Sequence, residues 1–198
     1  MTDVVLASTS KTRAKLLRNA GLNFIQRAPS LDETAIKQSL SAENIKPRDV
    51  ADILADMKAR KVSNEFMQSV IIGCDQILVF NNQIHSKKLT QKDLYELLTL
   101  LSGKTHKLLS AAVIYKGAQA IWRHIGEAEV TMRDLSPKYI WNYVNTEWDT
   151  IQGSVGGYKI EKTGVQLVRS IKGDYHSILG IPLLPVLSFL DDNGILYR

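Results

Sequence analysis

Apolar residues fall in short runs along the chain, and the spacing within each run differs. Residues 4–7 are continuously apolar and end at Ser8-Thr9-Ser10, the pattern of a buried strand. Residues 13–20, carrying Leu16 and Leu17 and closed by Gly21, predict a short helix. Residues 24–26 predict a second strand that stops before Pro29. From Pro47 to about Phe66, Val50, Ile53, Leu54 and Met57 recur at the i, i+3, i+4, i+7 spacing of a helix. Residues 70–73 and 77–80 predict two strands separated by Cys74-Asp75-Gln76, followed by an Asn81-Asn82 turn. An amphipathic helix over 94–101 stops at Gly103. Residues 108–115 and 120–132 predict an antiparallel pair joined through Lys116-Gly117. Ser136 and Pro137 mark the start of a helix reaching about Val144. A strand over 165–171 and a helix over 182–190 complete the pattern.

Strands and helices mixed in this order predict an α/β or α+β arrangement around one mixed sheet. The length of 198 residues suits one domain, here taken as 1–198, and 44% apolar residues suffice for a core. The most apolar stretch, 178–190, is too short to cross a bilayer and contains Pro182 and Pro185. No basic and apolar leader opens the chain, and the single cysteine, Cys74, allows no internal disulfide. A soluble, cytoplasmic protein with no membrane partner is therefore expected.

The formal charge of +5 suits an anionic partner, but no run of five or more like charges is present. A small polyanion fits as well as nucleic acid. Candidate chemistry begins at the hydroxyl-rich turn from Ser8 to Thr12, where a strand gives way to a helix. Free backbone N–H groups at a helix start favour phosphate, and Arg13 in the first turn can add a bidentate contact. The alternative is that Ser10 only caps the helix. Asp32-Glu33, in a polar stretch without periodicity, offers two carboxylates to a metal or simply to water. Lys58 sits at the edge of a buried helical stripe, where it reaches either a cleft or solvent.

Asp75 and Gln76 stand between two strongly apolar runs. A buried carboxylate there needs a partner, which favours a mounted functional group over a turn residue. Lys87 or Lys88 could supply a phosphate ligand or the counter-charge to Asp75. The glycine-rich segment from Gly153 to Gly164 suggests backbone close to a ligand, without the order of a P-loop or dinucleotide fingerprint. His85, His106, His124 and His176 show no i, i+4 pair, and no G-x-S-x-G elbow occurs, which argues against zinc and serine-hydrolase chemistry.

Several motifs in order carry a resemblance. Leu6-Ala7-Ser8-x-Ser10-x-x-Arg13, Asp32-Glu33, Lys58-Ala59, Gly73-x-Asp75-Gln76, Lys87 and Leu101-Ser102-Gly103 resemble the Maf family of nucleotide pyrophosphatases (septum-formation inhibitor Maf). The match continues through Gly157-Tyr158-Lys159-Ile160-Glu161, Gly164-Val165-Gln166-Leu167-Val168 and Ile171-Lys172-Gly173-Asp174-Tyr175 to Leu179-Gly180-Ile181-Pro182-Leu183. The resemblance implies a mixed twisted sheet flanked by helices, as in inosine-triphosphate pyrophosphatases, with two lobes around a central cleft. It also implies cleavage of a nucleoside triphosphate between the α- and β-phosphates with Mg²⁺ or Mn²⁺, often as a homodimer.

By position, Ser8, Ser10 and Arg13 would cradle the triphosphate and Lys58 and Lys87 neutralise it. Glu33 and Asp75 would hold the metal, with Asp75 also activating the attacking water. Thr12 and Glu161 fall where the family sets substrate preference. Gln76 in Gly-x-Asp-Gln, together with Glu161, resembles the 7-methyl-GTP subgroup. Lys11-Thr12 and Lys88 depart from the family pattern, which has Pro-Arg or Pro-Trp in place of Lys11-Thr12 and Pro in place of Lys88. The alternative from another class is a catalytically weak nucleic-acid-binding or division-regulating protein of the same fold. Against it, Glu33 and Asp75 would repel a phosphate backbone, and no helix-turn-helix or zinc finger is evident.

Overall fold

The computed structural model describes residues 3–43, 45–88 and 90–196. Its centre is a mixed seven-stranded sheet flanked by helices, with β2–β1–β3–β5–β6–β7 as the order and β4 paired to β3 off that path. The strands are β1 (Val4–Ala7), β2 (Ile25–Arg27), β3 (Val70–Phe80), β4 (Gln83–His85), β5 (Thr105–Lys116), β6 (Gln119–Met132) and β7 (Val168–Gly173). β1 runs parallel to β2 and β3, and every other pair is antiparallel.

β1 reads as an unbroken apolar run because both of its faces are covered. Val5 and Ala7 pack with Ala51, Ala55, Ala59 and Val62 of α3 (Pro47–Ser63). Val4 and Leu6 pack on the opposite face with Leu17 of α1 (Lys11–Asn19) and with Val186 and Leu190 of α7 (Leu183–Asp192). Further along the α1/α7 face, α4 (Gln91–Leu101) and α5 (Pro137–Ile151) cover Leu78, Phe80, Leu108 and Val130. The remaining helices are α2 (Glu33–Ala42) and the short α6 (Tyr175–Ile178).

The structure departs from the sequence expectation at four places. The two strands expected around Cys74-Asp75-Gln76 are one eleven-residue strand, β3. Its polar middle stays in the ladder because Asp75 and Gln76 pair with Ala111 and Ser110 of β5. The polar stretch at Asp32-Glu33 opens a helix: Asp32 Oδ1 accepts from the backbone N–H groups of Thr34 and Ala35 at 3.1 and 3.0 Å. The half-buried stripe of α2 is Glu33, Ile36, Lys37 and Leu40. It is helically spaced but partly charged, so no apolar period announces it. α5 continues past Val144 to Ile151, since Ile151 is again buried after a largely polar turn. The strand expected over 165–171 begins instead with a 3₁₀ turn, Thr163–Leu167, ahead of β7. Among the described residues no helix is long and apolar enough to cross a membrane.

β3 holds the key to the site. On one edge it pairs with β5 along nearly its whole length, from Val70 to Val79. On the other edge β1 covers only Val70 to Gly73, and β4 covers only Leu78 to Phe80. Cys74 to Ile77 are therefore left open between the end of one neighbour and the start of the next. A crevice at the carboxyl end of parallel strands, beside a helix start, is where open α/β sheets bind ligands.

Candidate active site

A cleft of about 640 Å³ opens at this gap. Ser8, Ser10, Thr12, Arg13, Glu33, Lys58, Asp75, Gln76, Lys87 and Glu161 all line it. Residues from six stretches of chain that the sequence offered singly thus meet in one place.

Side-chain alternation on β3 aims Asp75 and Gln76 to opposite faces. Asp75 faces α3, where Lys58 Nζ donates to its Oδ1 at 2.6 Å. The same ammonium reaches Glu33 Oε1 at 2.7 Å, so among the described residues Lys58, and not Lys87 or Lys88, makes the direct ion pair with Asp75. Close packing of α3 on β3 makes this possible. A Cβ on Gly73 would lie 2.6 Å from Ala59 N and 2.7 Å from Ala59 Cβ, so only glycine lets the helix approach. Asp75 is 3% exposed, and its second oxygen, Oδ2, is buried without a hydrogen-bond partner.

Gln76 turns the other way. Its Nε2 donates to the carbonyls of Ser177 and Ile178 at 2.7 and 2.9 Å, tying α6 to β3. Ser110 Oγ donates to the same Ser177 carbonyl at 2.7 Å. Arg13 is nearly buried and braced from three sides. Nε donates to the Gly180 carbonyl at 2.7 Å, and Nη1 donates to the Cys74 carbonyl at 3.0 Å and to Ser8 Oγ at 3.3 Å. Its guanidinium is thereby fixed beside the start of α1, where Ser10 Oγ caps the helix by accepting from Arg13 N at 3.3 Å.

Electrostatics separate the two acids from the free cations. Burial opposes ionisation of Glu33, but the Lys58 ammonium, helped by Lys37 and Lys87, overrides it and holds the carboxyl below its usual range. Burial lowers the Lys87 ammonium, and Arg13 and Lys58 push the same way against Glu33 and Asp75. A crowd of cations around a concave surface is relieved by a polyanion. Burial raises the Cys74 thiol to about 11, which makes it inert beside the acid.

Among the described residues, no group of three or more His, Cys, Asp or Glu side chains could hold a metal. Glu33 and Asp75 meet at Lys58 as a pair, with Asp75 Oδ2 still unpartnered. Two carboxylates suit a hard divalent cation whose other ligands are water and phosphate oxygens, and they do not suit a closed protein cage.

Sequence reasoning missed Lys37, whose signal was its place four residues after Glu33 on one helical face. It gave Tyr158, Ile160 and Leu179 only as parts of the Maf motifs, with no role, and missed Leu108; together they give the cleft an apolar wall. Their signal was weak, because the same residues read equally well as core.

A mixed α/β sheet with a cation-rich cleft at a strand crevice is a setting that suits a small, anionic ligand. The chain belongs to the Maf family: residues 3–193 match the model described as Maf-like protein. It is 45% identical over 193 residues to a nucleoside triphosphate pyrophosphatase of Ruegeria pomeroyi, covering 98% of this chain and 97% of that protein. It is also 42% identical over 187 residues to a 7-methyl-GTP pyrophosphatase of Brucella abortus, covering 94% of each. A 7-methyl-GTP pyrophosphatase of Rhizobium meliloti is 40% identical over 191 residues, covering 96% of each.

Proposed function

We propose that this chain is a nucleoside triphosphate pyrophosphatase: water and a nucleoside triphosphate go in, and a nucleoside monophosphate and pyrophosphate come out. It is a hydrolase of an acid anhydride. The observation that carries the reading is the asymmetry of Asp75. Oδ1 is clamped by Lys58, whereas Oδ2 is buried and unpartnered, on a residue that lines the cation-rich cleft. In this reading the unpartnered oxygen accepts the proton of a water attacking the α-phosphorus once substrate fills the cleft.

The backbone at the start of α1, with Ser8, Ser10, Arg13 and Lys87, holds the triphosphate. Reactions of this kind depend mainly on positioning and charge neutralisation. Lys58 orients Asp75 through its hydrogen bond to Oδ1. Glu33 and Asp75 would hold Mg²⁺ or Mn²⁺, which when bound polarises phosphate oxygens and lowers the pKa of bound water. Thr12, Gln76 and Glu161 act on the base. The Glu161 carboxylate favours a base that is cationic or rich in N–H donors, so 7-methyl-GTP ranks first among the substrates. We further propose that the chain acts in the cytoplasm, as a homodimer.

The test is chromatographic separation of products after incubating the protein with Mg²⁺ or Mn²⁺ and each of UTP, CTP, GTP, dTTP, ITP and 7-methyl-GTP. Monophosphate plus pyrophosphate, stopped by chelation of the metal, is the expected result. Diphosphate plus orthophosphate, or no product from folded protein, would overturn the assignment.

A further inference from the structure

One buried polar pair lies behind the apolar end of the cleft. Tyr158 lines the cleft and is 5% exposed, and its hydroxyl meets His106 Nε2 at 2.7 Å. The two rings also pack edge to face, with centroids 5.8 Å apart. His106, on β5, is 1% exposed and is not part of the cleft wall. Its neighbour on the same strand face, Leu108, is. Burial holds the imidazole down at about 4, with His85 adding to the effect, so the ring is neutral near pH 7. Its other nitrogen, Nδ1, has no hydrogen-bond partner. Among the described residues the bond to Tyr158 is therefore the one polar tie this ring makes.

The loop around Tyr158 is shaped to allow that tie. A Cβ on Gly156 would come within 2.6 Å of Tyr158 Cε1, so a side chain there would push the ring off its seat. Gly157 has φ +71°, and a Cβ there would collide with Leu94. Two glycines thus let the chain turn sharply and press Tyr158 against His106. Three residues later the same segment presents Glu161 to the cleft.

We propose that the His106–Tyr158 pair is a positioning unit for base recognition: it pins the glycine-rich loop to β5 and so fixes where Glu161 and the apolar wall meet the nucleobase. The inference rests on the nucleotide reading of the cleft. The residues assigned to the phosphates stand on β1, α1, α2, α3 and the segment after β4, outside this loop. Loosening the pair therefore acts on the base and spares the phosphates.

The test compares Tyr158→Phe and His106→Phe with wild type, and uses His106→Gln, which can restore a partner for the hydroxyl, as the rescue. The readouts are KM and kcat for the best nucleotide, the preference over the second-best, and inhibition by inorganic tripolyphosphate. Losing one hydrogen bond raises KM about threefold to tenfold and flattens the preference by a similar factor. The kcat and the tripolyphosphate inhibition constant stay unchanged, and His106→Gln returns toward wild type. Tyr158→Phe with unchanged KM and preference would overturn the proposal, as would an equal loss of tripolyphosphate affinity. Calorimetric binding of a non-hydrolysable nucleotide separates this from the reading on which it rests. Binding that weakens in Tyr158→Phe, with no turnover even in wild type, would sink the hydrolase assignment and leave the positioning role standing.

Discussion

Replacing Lys58 by methionine keeps the aliphatic stem and removes the charge that holds two acids together. In the native protein Lys58 Nζ lies 2.6 Å from Asp75 Oδ1 and 2.7 Å from Glu33 Oε1. The Asp75 side chain is 4% exposed and that of Glu33 is 38% exposed, so the penalty falls on Asp75 while Glu33 can turn to water. Stripping the partner from a buried ion costs about 3–5 kcal/mol. With the half-exposed Glu33 discounted for solvent screening, about 3 kcal/mol is expected at mildly alkaline pH. For a domain of this size that is roughly 6–12 °C in melting temperature.

The pH dependence carries a definite sign. Against the opposing effect of burial, Lys58 holds the Glu33 carboxyl below its usual 4.5 in the folded state, so the stability this gives wild type is present above that value and lost as pH falls through the folded one. The variant lacks that contribution, so its gap to wild type narrows as pH falls below 4.5. Thermal melts followed by circular dichroism at mildly alkaline pH and below 4.5 measure the gap. A gap independent of pH, or coincident melts, would refute the view that Lys58 holds the two acids together.

Asp75→Asn leaves Lys58 paired with Glu33, so its melting temperature should stay within a few degrees of wild type while turnover disappears; measurable turnover would remove Asp75 from the chemistry. Gly73→Ala forces a methyl against Ala59 and the Ala55 carbonyl. A loss of about 3 kcal/mol in urea unfolding, at the upper end for overpacking, is expected, and a loss below about 1 kcal/mol would mean that α3 gives way easily. Cys74, fully buried with its thiol raised to about 11, should resist alkylation in native buffer and react at once in denaturant. Rapid labelling of the native protein would show that the strand opens there.

The Maf motifs brought together, on paper, the residues that the structure brings together in space, because their order is fixed by the strands and turns that carry them. Periodicity found α3 and β1, where packing is apolar and regular. It could not find α2, whose inward stripe contains Glu33 and Lys37 because it faces a cleft and not a core. Nor could it join the halves of β3, since Asp75 and Gln76 look like a break until Lys58 and the Ser177 and Ile178 carbonyls are seen to satisfy them. The identity of the Asp75 partner depended on how closely α3 approaches the sheet. That distance is set by Gly73, a residue the sequence offered only as flanking an acid.

The two acids of the site differ in what would release them. Asp75 is built into the middle of a strand paired along nearly its whole length on one edge, and it goes only when the sheet goes. Glu33 stands on the first turn of α2, a helix with no fully buried side chain among those described. Local fraying of that helix costs far less than global unfolding. If Glu33 serves the site as proposed, mild warming or dilute denaturant would silence the enzyme reversibly by removing one half of the acid pair, while the sheet and its spectroscopic signature persist. A ligand bridging both acids would tie the onset of activity to the ordering of a single peripheral helix.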